Sequence, residues 1–226
     1  QRSADSYRRI RNTARYFLSN LDGFDPDADV LPHSKMLALD LWALDRAASV
    51  QTEIREAYEK FQFHLVTQKL HNFCVRDMGG FYLDIIKDRI YTCSAVSLPR
   101  RSAQTALYHI SEAFVRWIAP ILSFTAHEIW GFMPGVRDAP VFVSEWSETP
   151  ELEFGSDIHR DDWDTILEAK EAINRVIELQ RNLGSIKGSL EADLTIYANE
   201  QNFKALAKLG DELRFVTITS SAILRP

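Results

Sequence analysis

The chain has 226 residues, of which 46% are hydrophobic and 26% are charged, an ordinary balance for a globular protein of one large or two small domains. Its net charge of −6 excludes nucleic-acid binding by bulk positive charge, so any such binding must use a local patch. No apolar run is long enough to span a membrane, and no secretory signal pattern is present. Cys74 and Cys93 form no C-x-x-C pair, which predicts a reducing, cytoplasmic setting.

The first predicted element is an amphipathic helix over residues 8–21, RRIRNTARYFLSNL. Its apolar stripe follows helical spacing and consists of Tyr7, Ile10, Ala14, Phe17, Leu18 and Leu21. By the same arithmetic, the opposite face carries Arg8, Arg11, Asn12 and Arg15. Guanidinium groups one turn apart and an amide between them suit an RNA backbone and its unstacked bases. On spacing alone, an ordinary solvated helix face is favoured over an RNA contact.

The next segments are a loop and two further helices. Asp and Pro residues predict a loop at 22–32, and Ser34 then caps a long helix that ends near Lys60. A third helix is predicted over residues 63–88, with Gly79 and Gly80 as a weak point inside it. Because the sequence opens at Gln1 without a methionine, inside a helical pattern, we expect it to be a piece of a longer protein.

A second group of cations and an aromatic residue follows at the end of the third helix. Lys87, Arg89 and Tyr91 lie near its C-terminus, where cations are favoured by the helix dipole by about 0.3–1 kcal/mol. That is a sufficient structural reason for them. The functional interpretation is a second contact with nucleic acid, in which Tyr91 stacks on a base.

Two more helices complete a predicted bundle. Pro99 opens the fourth helix, Pro120 interrupts it, and a fifth helix ends between Gly131 and Pro134. Five amphipathic helices joined by short loops predict an antiparallel helical bundle over residues 1–150.

The character of the chain changes after Pro140, where VFVSEW predicts a short β-like or extended piece and residues 149–157 predict a linker. A helix is predicted from Asp162 to Leu183. Then come a strand in ADLTIYA, a short helix from Asn202 to Leu209, and a strand-rich segment in LRFVTITSSAIL. This order predicts a small α+β subdomain over residues 151–226, in a protein that is mainly α.

No self-contained active site is predicted. The sequence lacks the G-x-x-x-x-G-K, G-x-G-x-x-G and G-x-S-x-G patterns. His71 and Cys74 have a spacing that can hold a metal, but no second pair accompanies them. We therefore assign no catalytic residue, no metal and no cofactor to this chain.

Several segments resemble one protein family over nearly the whole chain. YRRIRNTARYFLSNLDGFDP is similar to the start of the anticodon-binding domain of bacterial isoleucyl-tRNA synthetases, which are class I synthetases. FYLDIIKDRIYT, RRSAQTALYHI and VRWIAPILSFTAHEIWGFMPG resemble the later bundle helices of that domain. GSLEADLTIYA and GDELRFVTITSSA resemble its C-terminal junction region. The valyl and leucyl enzymes share the bundle, and the R-N-T-A-R run favours the isoleucyl family.

The resemblance implies a role in tRNA recognition. The parent protein would ligate isoleucine to tRNA(Ile) with ATP and Mg, while the catalytic and editing domains are not represented here. The implied partners are the anticodon stem-loop of tRNA(Ile) and the rest of the parent synthetase, with no membrane and no DNA. Members of this family often carry a cysteine-rich zinc module at their extreme C-terminus, which would lie beyond the end of this chain. The residues carried over as tRNA-binding are Arg8, Arg11, Asn12, Arg15, Lys87, Arg89 and Tyr91.

Two alternatives remain open from the sequence. One is the equivalent domain of a valyl- or leucyl-tRNA synthetase. The other is a helical protein-interaction module without an RNA role, in which the arginine face would make no functional contact.

Overall fold

A computed structural model describes residues 2–146 and 158–226 of the chain. The chain divides into two compact units, Gln1–Glu153 and Phe154–Pro226. The predicted boundary after residue 150 and the predicted linker at 149–157 lie outside the described residues.

The first unit is helical. Its α-helices are α1 (Arg2–Asn20), α2 (Pro26–Asp29), α3 (Ala38–Glu59), α4 (Phe63–Asn72), α5 (Leu83–Thr92), α6 (Leu98–Ile118) and α7 (Ser123–Phe132). A π-helix, Phe73–Tyr82, joins α4 to α5 without a break. Short 3-10 turns lie at His33–Lys35 and Val141–Val143. Pro120 separates α6 from α7, as predicted, because its ring cannot continue an α-helix.

Ion pairs show how neighbouring helices run. Arg46 in the middle of α3 bonds to Asp77 of the π-helix, whereas Glu53, further along α3, bonds to Lys69 of α4. As the chain proceeds from α4 into the π-helix, its ion-pair partners in α3 come earlier in the sequence. The segment formed by α4 and the π-helix therefore runs antiparallel to α3. The mainly α architecture with a helical bundle is confirmed.

Aromatic rings pack α1 and the π-helix against α6. Phe17 of α1 packs edge-on against Phe114 of α6, with 5.7 Å between ring centroids. Phe73, at the start of the π-helix, packs against Trp117 of α6 at 5.4 Å. Each such pair contributes roughly 0.5–1.5 kcal/mol beyond the area it buries. With its apolar side held in this way, α1 turns its other side outward.

The predicted start of the second long helix is wrong. Ser34 lies in the 3-10 turn, and α3 begins at Ala38 with Leu37 at the N-cap position and no side-chain cap. The Leu37 N–H donates instead to the Ser102 hydroxyl of α6 at 2.8 Å. The polar partner comes from another helix, so local capping preferences could not place this boundary.

The predicted third helix is three segments rather than one. The π-helix occupies its middle, and α5 continues to Thr92 instead of residue 88. A Cβ atom on Gly79 would lie 3.0 Å from the Cys74 carbonyl oxygen, and one on Gly80 would lie 3.1 Å from that of Val75. The sequence predicted a weak point in the helix at these two glycines. In the structure, the wider winding of the π-helix brings a backbone carbonyl oxygen close to each of them.

The second unit contains a two-stranded parallel sheet. Its elements are α8 (Arg160–Asn182), a 3-10 turn (Ser189–Glu191), β1 (Asp193–Tyr197), α9 (Glu200–Ala207), a 3-10 turn (Gly210–Glu212), α10 (Leu213–Thr217) and β2 (Ser221–Arg225). The pairing runs from Asp193 opposite Ser221 to Tyr197 opposite Arg225. Parallel strands require a crossover, which α9 and α10 supply. The predicted α+β character of this unit matches these elements.

Two strand predictions are wrong. Val141–Val143 is a 3-10 turn. In LRFVTITSSAIL, residues Leu213–Thr217 are helical, and the strand begins only at Ser221. The buried side chains of Leu213, Val216 and Thr217 lie on one helical face, and the buried Lys170 of α8 donates to the Val216 carbonyl at 2.5 Å. These packing contacts override the period-two pattern.

Among the described residues, no helix is both long and apolar enough to cross a membrane.

Candidate nucleic-acid interface

The two sides of α1 differ in exposure as the periodicity predicts. Ile10, Ala14 and Phe17 are buried at 2%, 1% and 1% exposure. The opposite side, which is exposed, carries Arg8, Arg11, Asn12 and Arg15. Because the buried side is fixed by core packing, these four side chains share a rigid ridge that faces solvent.

Arg11 connects α1 to α7. Its guanidinium lies 3.3 Å from the Glu128 carboxylate and donates to the Tyr7 hydroxyl at 3.4 Å. The Tyr7 hydroxyl also lies 3.2 Å from the Thr125 hydroxyl. The hydrogen bonds with Thr125, which has the larger effect, and with Arg11 lower the pKa of Tyr7. Arg11 remains about half exposed, so a partner in solution can still reach it.

The neighbouring arginines of α1 are held more loosely. Arg8 forms a solvent-exposed ion pair with Asp5 at 3.3 Å, and exposed pairs contribute only about 0–1 kcal/mol. In the described part of the chain, the structure shows no ion pair for the exposed Arg15. Either side chain can therefore turn toward a phosphate at little cost.

The predicted residues of α5 fall on two sides of that helix. Lys87 is exposed and pairs with Asp84 at 2.6 Å, and Tyr91 is 65% exposed. Arg89 is only 3% exposed and lies 3.5 Å from the Asp40 carboxylate. Residues two apart point to opposite sides of a helix, so Arg89 faces the core while Lys87 and Tyr91 face solvent. We therefore leave Arg89 out of the candidate interface.

Arg89 belongs instead to a buried polar cluster around Asp40 that sequence reasoning missed. The Asp40 carboxylate is fully buried and accepts hydrogen bonds from Tyr82 at 2.7 Å and from Ser102 at 2.6 Å. Burial, followed by the nearby Asp40 charge, raises the pKa of Tyr82. This cluster ties α3, the π-helix, α5 and α6 together and so fixes the position of α5.

Tyr16 brings the two groups of exposed residues together. Its hydroxyl donates to the Leu83 carbonyl of α5 at 3.2 Å. Burial, and then the neighbouring Tyr91, raises the pKa of Tyr16. The outer side of α1 therefore adjoins the outer side of α5. We name this region the α1–α5 surface and define it as Arg8, Arg11, Asn12, Arg15, Lys87 and Tyr91.

Tyr16 was not among the residues predicted from the sequence. Its position in the α1 pattern, next to Arg15, gives no sign of a partner in α5. The contact depends on how α1 packs along the π-helix and α5, which only the folded chain shows.

The α1–α5 surface combines three chemistries that suit single-stranded RNA. Its cations can neutralise phosphates, the Asn12 amide can bond to a base edge, and the exposed Tyr91 ring can stack on a base. Asp84 and Glu128 at its margins already pair with Lys87 and Arg11. They limit the local positive potential, so we expect recognition to depend on geometry as well as on charge.

The described residues contain no group of three or more His, Cys, Asp or Glu side chains that could hold a metal ion. The Cys74 thiol is buried, and burial raises its pKa to about 12. It is therefore protonated at neutral pH, and a protonated thiol is a poor metal ligand.

Comparison with known proteins shows that the chain is similar to part of the tRNA ligases. A family model described as the anticodon-binding domain of tRNA ligase matches residues 40–197. Similar curated proteins are called isoleucine–tRNA ligase. That of Stutzerimonas stutzeri is 58% identical over 227 residues, which is 100% of this chain. That of Saccharophagus degradans is 57% identical over 98% of the chain, and that of Teredinibacter turnerae is 55% identical over 99%.

The chain spans 24% of the length of each of these relatives. The family match includes Lys87 and Tyr91, and the relatives also align over α1, which carries the four exposed predicted residues. The matched residues and the helical bundle agree, and the chain belongs to the family of anticodon-binding domains of tRNA ligases.

Proposed function

We propose that this chain recognises the anticodon stem-loop of tRNA(Ile) through the α1–α5 surface, as part of an isoleucine–tRNA ligase. The observation that carries the proposal is the hydrogen bond that the Tyr16 hydroxyl of α1 donates to the Leu83 carbonyl of α5 at 3.2 Å. Through this contact, the cations of α1 and the exposed aromatic ring of α5 share one surface. The family match and the relatives named isoleucine–tRNA ligase support the same conclusion.

Each part of the surface has a distinct proposed task. Arg8, Arg15 and Lys87 contact backbone phosphates, since their charges are exposed and held only by surface ion pairs or by none in the described structure. Asn12 bonds to the edge of an unpaired base, and Tyr91 stacks on a base. Arg11, held by Tyr7 and Glu128, offers a fixed guanidinium for bidentate recognition.

The ligation chemistry is proposed for the longer protein rather than for these residues. An isoleucine–tRNA ligase would use ATP with Mg to activate the amino acid, and a zinc module downstream of this region is part of the same proposal. None of these steps is assigned to a described side chain. The two cysteines are free, which supports the proposed cytoplasmic setting.

The two other hypotheses make different predictions. A valyl or leucyl enzyme would prefer its own anticodon, and the relatives named above favour the isoleucyl enzyme instead. A protein-interaction module without an RNA role would show no preference among RNA stem-loops at all.

The proposal is tested by titrating the full-length protein with the anticodon stem-loop of tRNA(Ile) and with the same stem-loop carrying an exchanged anticodon. We expect the exchanged loop to bind more weakly by about 1–3 kcal/mol, by analogy with base-specific contacts in DNA complexes. We also expect the logarithm of the affinity to fall linearly with the logarithm of the salt concentration, by about 0.7 for each phosphate contacted in single strands. Equal affinity for the two loops at every salt concentration would refute anticodon recognition.

Replacing Asn12 with alanine should weaken binding of the matched stem-loop more than binding of the stem-loop with the exchanged anticodon. The amide can bond to a base edge but carries no charge for a phosphate, so its removal should bring the affinities for the matched and exchanged stem-loops closer together by about 1–3 kcal/mol. Competition binding between the two loops measures this difference. Asn174→Ala, which removes an exposed amide from α8, is the matched control and should leave the preference unchanged.

A further inference from the structure

Helix α7 carries large apolar side chains on its exposed side as well as on its buried side. Ala126, Ile129 and Trp130 pack into the bundle, each 7% exposed or less. On the exposed side, Phe124 is 93% exposed and Phe132 is 73% exposed. A helix that is apolar on both sides ordinarily has a partner on both sides, so the two exposed rings mark the outer side of α7 as a candidate binding surface.

The two exposed rings lie in one row along α7. Phe124, Glu128 and Phe132 are each four residues apart and therefore share one side of the helix. We name these three residues the α7 stripe. The rings are about 12 Å apart along the helix axis, at 1.5 Å per residue. Stacked nucleotides of one strand rise by about 3.4 Å each, so the rings can reach bases roughly three or four positions apart in a single strand.

The α7 stripe runs beside the arginines of α1. The Tyr7 hydroxyl lies 3.2 Å from the Thr125 hydroxyl. One turn later in both helices, the Arg11 guanidinium lies 3.3 Å from the Glu128 carboxylate. Because both contacts advance in the same direction along the chain, α1 and α7 run parallel to each other.

The two helices are also close at their C-terminal ends. Pro26 follows the end of α1 and Gly135 follows the end of α7, and a Cβ atom on Gly135 would lie 3.5 Å from the Pro26 side chain. One turn beyond the ion pair that joins the helices, α1 carries the exposed Arg15 and α7 carries the exposed Phe132. The cations of α1 and the rings of α7 therefore form two neighbouring rows.

Helices α7 and α5 flank α1 on opposite sides. Tyr7 contacts α7, whereas Tyr16 contacts α5. These two residues are about two and a half turns apart, at 3.6 residues per turn, so their side chains leave α1 in opposite directions. The exposed arginines of α1 therefore lie between the Tyr91 ring of α5 and the α7 stripe, and the α1–α5 surface continues onto α7.

We propose that Phe124 and Phe132 are further RNA-binding residues, which stack on unpaired bases of the strand whose phosphates the arginines of α1 bind. This inference rests on the proposed function, because it takes those arginines to contact RNA. Cations beside exposed aromatic rings suit single-stranded nucleic acid, since the cations bind phosphates and every base has a flat face that can stack on a ring. Glu128, between the two rings, is paired with Arg11, which limits its repulsion of a phosphate.

An apolar contact with another part of the longer protein is the alternative occupant of the α7 stripe. Such a contact needs hydrophobic bulk but neither a flat ring nor a neighbouring cation. The adjacent arginines favour RNA, because covering a guanidinium with apolar surface removes its hydration without replacing it. An RNA phosphate would replace that water with charged hydrogen bonds.

The test uses the full-length protein and the anticodon stem-loop of tRNA(Ile), with 2-aminopurine replacing each loop base in turn. Phe124→Leu and Phe132→Leu each keep an apolar side chain but remove the flat ring. We expect each to weaken binding by about fivefold or more, from the effect of losing one stacked base, and to change the fluorescence of the 2-aminopurine on which that ring stacks. The salt dependence should stay that of the wild type, because no phosphate contact is lost.

Two kinds of variant serve as controls. Phe124→Tyr and Phe132→Tyr keep a ring and should bind like the wild type. Tyr197→Leu removes a ring that is 77% exposed in β1 of the second unit, and it should leave RNA affinity unchanged. If Tyr197→Leu, or the tyrosine variants, weakened binding as much as the leucine variants, the proposal would be overturned, since neither ring stacking nor position beside the arginines would then explain the loss.

Leucine variants that bind the stem-loop like the wild type would also overturn the proposal and would assign the α7 stripe to an apolar contact within the longer protein. This result is distinguishable from a failure of the proposed function. If Tyr91→Ala and the removal of Arg11 and Arg15 all left binding intact, the proposed function of the α1–α5 surface would be wrong. If those variants weakened binding while both leucine variants matched the wild type, only the extension of the surface onto α7 would be wrong.

Discussion

Replacing Asp40 with alanine is expected to lower the free energy of unfolding of the bundle by about 3–5 kcal/mol, the cost of removing one partner of a buried ion pair. Arg89 would stay buried without the Asp40 carboxylate, and the hydroxyls of Tyr82 and Ser102 would lose their acceptor. Native domains are stable by only about 5–15 kcal/mol. Denaturant unfolding followed by tryptophan fluorescence measures the decrease, because Trp117 is fully buried in the same bundle.

Asp84→Ala is the control for this prediction, since Asp84 is also an aspartate paired with a cation, but on the surface of α5. We expect it to change stability by less than about 1 kcal/mol. Combining Asp40→Ala with Arg89→Met should recover part of the stability, because methionine removes a buried charge that has lost the Asp40 carboxylate and fills much of the same space. Similar decreases for Asp84→Ala and Asp40→Ala would contradict the structural role assigned to the buried cluster.

Replacing Arg11 and Arg15 together with alanine is expected to weaken binding of the tRNA(Ile) anticodon stem-loop by at least about 2 kcal/mol, or roughly thirtyfold. Each guanidinium lies on the exposed side of α1, and each can bind an RNA phosphate or base through charged hydrogen bonds. The salt dependence should become shallower by about 0.7 for each phosphate of single-stranded RNA that the variant no longer neutralises. Titration at several salt concentrations measures both effects.

The matched control removes two exposed cations from another part of the bundle. Arg55, which lies over the Trp146 ring, and Lys60, which pairs with Glu56, are at the end of α3. Replacing both with alanine changes the net charge by the same amount, so it separates a local contact from bulk electrostatics. The site assignment is wrong if the control pair weakens binding as much as Arg11→Ala with Arg15→Ala, or if the latter binds like the wild type.

The candidate interface was predicted in part because α1 and α5 are regular helices. The exposed positions of α1 follow directly from the spacing of Ile10, Ala14 and Phe17. Helical spacing also separates Arg89 from Lys87 and Tyr91, and this signal was present in the sequence although the prediction grouped the three together. The identity of the buried partner, Asp40, could not be predicted, because it lies 49 residues earlier in the chain and nothing local marks it as buried.

Amino-acid order alone was sufficient for features governed by neighbours along the chain. Helical periodicity places the arginines of α1 on its outer side, the ring of Pro120 ends a helix, and alternation marks β1 as a strand. These properties depend on backbone geometry within a few residues. Similarity to known sequences then indicated the family and its expected partner.

The folded chain was needed wherever a distant group supplies the missing interaction. Ser102 of α6 replaces the local cap expected at Ser34, and Lys170 bonds to the end of α10, where alternation had predicted a strand. Tyr16 joins α1 to α5 in the same way, through the Leu83 carbonyl. In each case the decisive hydrogen bond connects segments far apart in the sequence, and its free energy outweighs a local preference of about 1 kcal/mol or less.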